Sequence, residues 1–382
     1  ASVEMLDHPE WRGKPLIVGG DADSRGVVST CSYEARRFGV HSAMASAEAR
    51  RLCPQAIWTH GHFDRYREVS AQVMAILADE TPRVERVSID EAFIDITPGR
   101  FAPEDPMLVA RRISGRVAAL GVTCSIGVGC NKTVAKIASE RDKPFGLTIV
   151  RPGTEQRFLA ALPVSAMSGI GRSAEERLRR MRIYTLGELS RASESTLASI
   201  FGVNGERMRQ RALGLEISEV TSLDEEREVK SVSNERTFAN DLTERGDIEA
   251  AIALLGESVG RRLRRQGLTG ATVTLKLKYS YGSGRSAQRR LPHPTDDENI
   301  FVAVALELLD NIWQEGMHVR LAGIGMSDFD HQGGIQTDLF CEVDDRGAQS
   351  SDRRDLSVAI DAVRDKFGDT ALSFGRQSRF ND

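Results

Sequence analysis

The chain has 382 residues, of which 40% are hydrophobic and 28% charged, so it is long enough for two to four packed domains and too apolar for a disordered tail. Its mean hydropathy of -0.30 and the lack of any apolar run near the ~20 residues that cross a bilayer exclude membrane spans. The five cysteines form an odd set without a C-x-x-C pair, which argues against a disulfide framework or a zinc ribbon and predicts a reduced, cytoplasmic protein.

Strand and helix patterns alternate over the first 160 residues, which indicates an α/β or α+β fold. Strands are predicted at 15–18, 87–96 and 123–128, and a helix from about Asn131.

From about 155 to 215 the pattern is wholly helical, which predicts a small helical domain. A Gly169-Ile170-Gly171 turn precedes a helix whose Ser173 and Glu176 predict a capping box. The acidic stretch that follows, 219–229, is predicted to be an exposed linker.

Residues 230–330 predict a β-α-β-β-α-β unit. Its strands are predicted at 230–238, 272–281, 287–291 and 319–329, and its helices at 247–266 and 297–315. In the second strand apolar side chains alternate with polar ones, which predicts one buried face and one basic face. The buried set is Val273, Leu275, Leu277 and Tyr279, and the basic face carries Lys276 and Lys278.

The same unit contains nine cations and no carboxylate between residues 258 and 295. Such a stretch indicates a polyanion partner or, equally, a solvated basic face. Four of these cations, Arg261, Arg262, Arg264 and Arg265, lie at a predicted helix C-terminus, where the helix dipole alone would favour them. Residues 328–382 are acidic instead, with 12 carboxylates against 7 cations.

Two adjacent carboxylates, Asp90 and Glu91, interrupt the apolar pattern of the strand predicted at 87–96. Most acidic pairs are solvated turns, and this one is either such a turn or a site for a hard divalent ion such as Mg²⁺. A site for two metal ions would also need ligands from elsewhere in the chain.

Two further segments carry groups that suit a phosphate. A strand gives way to a helix near Thr30, so a hydroxyl, the phenol of Tyr33 and the guanidinium of Arg36 could converge on one phosphate group. The alternative is an ordinary capped surface helix. Lys143, beyond the helix that Asn131 opens, would supply a point charge for a triphosphate.

Together these segments resemble the DinB branch of the Y-family DNA polymerases over essentially the whole chain. The resemblance is carried by V-V-S-T-C-S-Y-E-A-R-R-F-G-V at 27–40, S-I-D-E-A-F-I-D at 88–95, S-I-G-V-G-C-N-K-T-V-A-K-I-A-S-E-R-D-K-P at 125–144 and S-G-I-G at 168–171, with K-S-V-S-N-E-R-T-F at 230–238 similar to the opening strand of a little finger domain.

This resemblance implies an α+β multidomain, right-hand polymerase with a ferredoxin-like palm. The implied boundaries are fingers at 1–62, palm at 63–153, a helix-hairpin-helix thumb at 154–218, linker at 219–229, a β-α-β-β-α-β little finger at 230–330 and an acidic tail at 331–382. The implied function is template-directed translesion synthesis by a monomer that uses primer-template DNA, dNTPs and two Mg²⁺ ions per active site.

The resemblance also assigns residue roles. Asp90 and Glu91 would be the catalytic metal ligands, Thr30, Tyr33, Arg36 and Lys143 would hold the incoming triphosphate, and Gly169, Gly171, Lys276, Lys278, Arg289 and Arg290 would contact DNA.

A segment beyond the little finger resembles the short peptide by which bacterial polymerases dock on the sliding β clamp. In this peptide, Gln336-Thr337-Asp338-Leu339-Phe340, the contacting residues would be Gln336, Asp338, Leu339 and Phe340.

One feature departs from the family pattern. Family members begin with a strand that reads roughly D-x-D-x-F-F/Y-A-S-V-E, whereas this sequence begins at A-S-V-E. The leading aspartate that completes the metal site and the aromatic residue that screens ribose are absent from the sequence, so we expect little or no polymerisation by the chain as given.

The alternative function is a non-catalytic DNA- and clamp-binding factor with a degenerate palm. A palm-fold nucleotide cyclase would leave the thumb and the basic sheet unexplained.

Two lesser candidates complete the set. His60 and His62 could form a metal pair, although a loop is the simpler interpretation. Tyr279 and Tyr281 could stack on bases, although the alternation places Tyr279 in the core first.

Overall fold

The computed structural model describes residues 1–98, 104–222, 225, 228–329, 346–368 and 371–372, with no side-chain description for 346–355. The chain divides into two compact units, one formed by residues 1–22 and 26–226 and the other by 23–25 and 227–382. Both units mix helices and sheets, which agrees with the predicted α+β class.

The first unit contains eleven α-helices and seven short strands among its described residues. The helices are α1 (Ser2–Asp7), α2 (Tyr33–Arg36), α3 (Ser46–Leu52), α4 (Phe63–Ala78), α5 (Pro106–Ala119), α6 (Lys132–Arg141), α7 (Glu155–Ala160), α8 (Arg172–Arg180), α9 (Leu186–Arg191), α10 (Glu194–Phe201) and α11 (Gly205–Leu213). The strands are β1 (Leu16–Gly19), β2 (Val28–Cys31), β3 (Ile57–Thr59), β4 (Val84–Arg86), β5 (Ala92–Ile94), β6 (Ile126–Val128) and β7 (Leu147–Ile149).

These strands form three small sheets. Strand β1 lies between β2, to which it is antiparallel, and β3, to which it is parallel. Strands β4 and β5 form an antiparallel pair, and β6 and β7 a parallel pair. Among the described strands no ladder joins these two pairs, so the predicted palm is built on separate two-stranded sheets rather than on one continuous sheet.

The prediction of one strand over 87–96 is wrong. Two short strands form a hairpin instead, and its connection is closed by backbone hydrogen bonds from the N–H groups of Val87 and Ser88 to the carbonyl of Glu91. The carboxylates of Asp90 and Glu91 therefore belong to a turn. The apolar residues on either side belong to different strands, which is why they resembled one continuous pattern.

The helical region at 155–215 is confirmed, but the capping box at Ser173 and Glu176 is wrong. Helix α8 begins two residues earlier than that box requires, with Gly171 as its N-cap and no side-chain cap. The capping box of this region belongs to α9 instead, where the Thr185 hydroxyl accepts from the N–H of Glu188 and the Glu188 carboxylate accepts in return.

The second unit shows the predicted β-α-β-β-α-β order. Its elements are β8 (Ser231–Leu242), α12 (Arg245–Gln266), β9 (Gly270–Tyr279), β10 (Gly284–Thr295), α13 (Glu298–Ile312), β11 (Val319–Phe329) and a C-terminal helix α14 (Arg346–Phe367). The sheet order is β10-β9-β11-β8, and α12 and α13 pack on one face of the sheet.

The alternation predicted for β9 is confirmed. Val273, Leu275, Leu277 and Tyr279 are all buried in the core beneath α12 and α13. The opposite face of this sheet, which is called the open face below, therefore carries Lys276 and Lys278. No helix among the described residues is long and apolar enough to cross a bilayer.

Candidate active site

The turn between β4 and β5 presents the paired carboxylates. Its backbone is held from both sides, because the Ser70 hydroxyl on α4 donates to the carbonyl of Ile89 at 2.5 Å and the Arg86 side chain donates to the carbonyl of Ser88 at 3.2 Å. Within the turn the Ser88 hydroxyl donates to Asp90 Oδ1 at 2.6 Å. Asp90 is exposed and Glu91 half-buried, so the turn leaves Asp90 open to solvent and Glu91 partly so.

Helix α6 lies against this hairpin through two lysines one turn apart. Lys132 forms an ion pair with Glu85 on β4, and Lys136 forms one with Glu91 in the turn. Burial alone would lower the pKa of Lys136, but its hydrogen bond with Glu91 and the charges of Glu91 and Glu140 outweigh burial, so the pKa lies above its ordinary value. Lys136 is therefore a permanent cation beside one of the two predicted metal ligands.

The same helix connects Glu91 to Lys143. Glu140 accepts from Lys136 at 3.3 Å and from Lys143 at 2.7 Å. Charges of alternating sign therefore link a predicted metal ligand to the lysine predicted for the triphosphate. The sequence analysis does not predict a role for Lys136 or Glu140. Their opposite charges, four residues apart in the segment 125–144, indicate an ion pair on one side of a helix.

The other predicted triphosphate contacts lie at the junction of β2 and α2. Thr30 lies on β2, and the Ser32 hydroxyl caps α2 by accepting from the N–H of Ala35. Tyr33 is 45% exposed, and the Arg36 guanidinium lies 5.8 Å from the centre of its ring. Within the described ranges, no hydrogen bond or ion pair joins this group to the Glu91–Lys143 chain.

The carboxylate turn meets only part of the requirement of a metal centre. Over the part of the chain that the structure describes, no cluster of three or more His, Cys, Asp and Glu residues could hold a metal. One or two carboxylates are nevertheless the protein ligands that Mg²⁺ takes when substrate phosphates complete its coordination. The His60–His62 pair does not compete for this role, because His62 Nδ1 is 2.8 Å from the buried carboxylate of Glu4.

The predicted helix-hairpin-helix turn is present at 168–171. Gly169 has φ +94°, a conformation that favours glycine, and Gly171 is the N-cap of α8. The buried side chain of Ile170 anchors the turn between these two glycines. The Ile170 amide donates to the carbonyl of Met167 at 3.1 Å, so the amides that suit a phosphate oxygen are those of the two exposed glycines.

The open face of the second unit's sheet carries three of the four DNA-contacting cations that were predicted. Strand register aligns Arg290 with Thr272, and β9 alternation places Lys276 and Lys278 on the same side. Arg289 aligns with the buried Val273 and forms an ion pair with Glu307 of α13, so it lies on the helix-covered side. Adjacent residues of a strand point to opposite faces, so the strand predicted at 287–291 could not place both arginines on one face, and the register decides which of them lies on the open face.

The arginines at the end of α12 have partners on α14. Asp361 is within 2.7 Å of Arg264, and Asp365 forms ion pairs with Arg261 and Arg265. The predicted basic stretch is therefore divided between the open face, the helix-covered face and an interface with the C-terminal helix. The clamp-like residues Gln336, Asp338, Leu339 and Phe340 lie outside the described residues.

Comparison with known proteins decides the family. Two family models match: "impB/mucB/samB family" over residues 1–140 and "impB/mucB/samB family C-terminal domain" over residues 229–339. The chain belongs to the DinB-type Y-family DNA polymerases.

Relatives and solved structures agree with this family. DNA polymerase IV of Lactococcus lactis subsp. cremoris is 38% identical over 334 residues, which cover 86% of this chain and 91% of the relative. DNA polymerase IV of Dehalococcoides mccartyi is 36% identical over 383 residues, which cover 100% of this chain and 95% of the relative. A Y-family DNA polymerase chimera of Dbh and Dpo4 superposes with a TM-score of 0.75 at 25% identity, covering 86% of this chain and 95% of that one.

The predictions of fold class and of polymerase activity are thereby confirmed, whereas the expectation of little or no polymerisation by the chain as given stays a prediction. The chain is an α+β multidomain protein whose activity is DNA-directed DNA polymerisation of the translesion type. Y-family DNA polymerases depend on a divalent metal.

Proposed function

We propose that this polymerase adds dNMPs to a primer 3′-hydroxyl at a site in which Asp90 and Glu91 bind two Mg²⁺ ions and Thr30, Tyr33, Arg36 and Lys143 bind the incoming triphosphate. The observation that carries the proposal is the chain of ion pairs from Glu91 through Lys136 and Glu140 to Lys143. It supports a single site, because it ties a carboxylate of the metal pair to a cation suited to phosphate.

Each group has a chemical task in this site. Bound Mg²⁺ would polarise the primer hydroxyl and neutralise charge that develops on the phosphates during in-line displacement. Lys143 offers a point charge, and Arg36 offers a fork of donors that can bind a phosphate in two places. The Thr30 hydroxyl and the Tyr33 phenol are neutral donors that can orient the phosphate oxygens without adding charge.

Contacts with primer-template DNA are proposed for two surfaces. The backbone amides of Gly169 and Gly171 would bind a phosphate at the thumb hairpin. Lys276, Lys278 and Arg290 would bind the phosphate backbone at the open face, which is supported by their shared side of the sheet. Gln336, Asp338, Leu339 and Phe340 would dock on a sliding β clamp, which is supported by the sequence of this pentapeptide alone.

The test of the metal assignment compares Asp90→Asn and Glu91→Gln with Asp79→Asn, an exposed carboxylate on the surface of the same unit. Calorimetry measures Mg²⁺-dependent dNTP binding, single-turnover assays measure dNMP incorporation, and filter binding measures DNA affinity. Because little incorporation is expected of the chain as given, the incorporation assays, here and below, use a chain that also carries the leading D-x-D-x-F-F/Y strand of the family pattern. We expect both turn variants to lose about tenfold or more in Mg²⁺-dependent dNTP affinity and to show little incorporation, while DNA affinity changes less than about twofold. Binding of the Mg²⁺–dNTP complex by either variant at wild-type strength would contradict the assignment.

A further inference from the structure

The side chain of Arg211 on α11 joins the thumb hairpin to helix α6. Its two terminal nitrogens donate to the carbonyl and the hydroxyl of Ser168, both at 2.9 Å, and its Nε donates to the Thr133 hydroxyl at 2.8 Å. The Arg211 side chain is only 15% exposed, and its bond to Thr133 is partly buried, whereas Ser168 itself is exposed. One guanidinium thus holds both Ser168, which opens the hairpin, and Thr133, which lies in the first turn of α6.

The first turn of α6 is fixed on its other side as well. The Thr133 hydroxyl donates to Glu216 at 2.5 Å, and Glu216 lies 3.6 Å from Arg211 Nε. The Asn131 amide donates to the carbonyl of Gly214 at 2.7 Å. The segment that follows α11 is therefore attached to the start of α6, and Arg211 is the centre of the attachment.

Helix α6 is also the element that holds the carboxylate turn. Thr133 and Lys136 are three residues apart on one helix, so they lie on neighbouring turns of the same side. Lys136 forms the ion pair with Glu91. A continuous set of contacts thus runs from the hairpin through Arg211, Thr133 and the backbone of α6 to a predicted metal ligand.

The chemistry of the contact requires arginine rather than any cation. A guanidinium presents a planar fork that bonds Ser168 twice while its Nε bonds a third group, which an ammonium on a flexible stem does not reproduce. Burial is the main influence on Arg211 and lowers its pKa, but a guanidinium stays charged at neutral pH. The charge also lies close behind the hairpin, since a side chain at Gly169 would meet Arg211 Nη1 at 3.5 Å.

We propose that Arg211 is a positioning residue that sets the hairpin 168–171 at a fixed distance from the Asp90–Glu91 turn, using helix α6 as the rigid spacer. This inference rests on the proposed function, because it takes the hairpin as a DNA contact. In this arrangement a phosphate held by the hairpin places the primer end in register with the carboxylates, and loss of Arg211 misplaces DNA that is still bound.

The test compares Arg211→Ala, Arg211→Lys and Arg207→Ala. Arg207 is the matched control, because it lies one turn away on α11, is 67% exposed and is 3.5 Å from the same Glu216 without contacting the hairpin. The measurements are the Kd for primer-template DNA, the single-turnover incorporation rate at saturating DNA, and hydrogen exchange of the amides of residues 169–171.

We expect Arg211→Ala to slow incorporation at saturating DNA about tenfold or more, since misplacement by about an ångström costs up to ~100-fold, and to speed exchange of the hairpin amides. Both Arg211 variants should keep their affinity for DNA. Arg211→Lys keeps the charge but not the planar fork, so it should recover neither the rate nor the protection of the amides. Arg207→Ala should stay within about twofold of wild type in all three measurements. Full recovery by Arg211→Lys, or an unchanged rate in Arg211→Ala, would overturn the proposal.

Gly171→Val separates this inference from the proposed function. A side chain at Gly171 meets nothing within 4 Å, so the substitution crowds only the outer surface of the hairpin. If Gly171→Val weakens DNA binding while the Arg211 variants act as wild type, the hairpin binds DNA and the positioning role is refuted. If Gly171→Val leaves the Kd unchanged, the hairpin is not a DNA contact, and the positioning role falls with it.

Discussion

Lys136 on helix α6 donates a hydrogen bond to the carboxylate of Glu91, 45 residues earlier in the chain. The pair is partly exposed on both sides. Lys136 neutralises a carboxylate that a divalent ion would otherwise bind, so lysine and metal compete for the same oxygen. This relationship leads to the first prediction.

Lys136→Ala should tighten metal binding at the carboxylate turn. A partly exposed ion pair contributes about 0.2–1 kcal/mol, so the Mg²⁺ concentration at half-maximal incorporation should fall by up to about fivefold. The measurement is a Mg²⁺ titration of single-turnover incorporation at fixed dNTP. Lys143→Ala is the comparison, and it should raise the KM for dNTP with little effect on the Mg²⁺ midpoint. A higher Mg²⁺ midpoint in Lys136→Ala would mean that the lysine helps to hold the metal site together.

Gly127→Ala should separate β6 from α6. A Cβ at Gly127 would lie 2.0 Å from the carbonyl oxygen of Ala135 and 2.3 Å from the N–H nitrogen of Ser139, both on the backbone of α6. Neither element can yield without moving the other, so we expect a loss of about 1–3 kcal/mol in the free energy of unfolding. Denaturant titration, followed through the unfolding transition of the first unit, measures this loss of free energy.

Gly115→Ala is the matched substitution for Gly127→Ala. Gly115 lies inside helix α5, is exposed, and has open space where a Cβ would be. Alanine should therefore stabilise the helix by about 0.5–1 kcal/mol, since it removes the conformational entropy of glycine from the unfolded chain. The two Gly→Ala changes should shift the midpoint in opposite directions, and equal shifts would mean that the close approach of β6 and α6 has no energetic importance.

Glu4→Gln should destabilise the first unit in a pH-dependent way. The Glu4 carboxylate is buried, and it accepts hydrogen bonds from the Tyr66 hydroxyl and from His62. Burial alone would raise the pKa of Glu4, but these two hydrogen bonds outweigh burial and hold it below its usual value. A depressed pKa means that the carboxylate stabilises the fold above its unfolded-state pKa, and that this contribution is lost as pH falls through the folded-state pKa.

We therefore expect Glu4→Gln to cost about 1–3 kcal/mol at pH 7 and clearly less near pH 3, where the native carboxylate also begins to take up a proton. Urea unfolding at both pH values measures the difference. Glu10→Gln is the control, because Glu10 is exposed and should change stability by less than about 0.5 kcal/mol at either pH. A pH-independent cost would show that the neutral amide disrupts packing rather than a charged hydrogen bond.

The sequence predicts the second unit far better than the first. In β9 the alternation of Val273, Leu275 and Leu277 with polar residues specifies both the strand and its buried face, because one face packs on helices and the other does not. The short strands of the first unit contain three or four residues each, too few for alternation to distinguish a strand from a turn. For this reason the sequence predicts one strand over 87–96, where the structure has the Asp90–Glu91 turn between two short strands.

The candidate site could be predicted in its residue types but not in its connections. Asp90, Glu91 and Lys143 stand out in the sequence, but the residues that link or position them, Lys136 and Arg211, act through contacts with partners distant in the chain. Long-range contacts depend on how helices dock, which local propensity does not encode. Which of Arg289 and Arg290 lies on the open face follows from strand register, which becomes known only when the partner strand is placed.

Replacing Leu339 and Phe340 with alanine should abolish stimulation of synthesis by a sliding β clamp while leaving clamp-free activity unchanged. Two adjacent apolar side chains in a short docking peptide supply most of its binding energy, so a loss of about tenfold or more in clamp affinity is expected. Surface plasmon resonance with immobilised clamp measures it. Alanine at Thr337, inside the same peptide, is the control and should bind nearly as wild type does. Unchanged affinity in the double variant would identify the pentapeptide as a chance match.

The open face should determine the salt dependence of DNA binding. Lys278 and Arg290 are exposed there, whereas Lys276 is 2.8 Å from Glu235 and must leave this ion pair to reach a phosphate. Each contact that neutralises a phosphate contributes about 0.9 to the slope of log K against log salt concentration for duplex DNA. Lys278→Ala and Arg290→Ala should therefore each lower the slope by about 0.9, and Lys276→Ala should lower it by less.

Arg289→Ala should leave the slope unchanged, because Arg289 is held by Glu307 on the helix-covered side. Equal slope losses for Arg289 and Arg290 would show that DNA contacts the edge of the sheet rather than its open face.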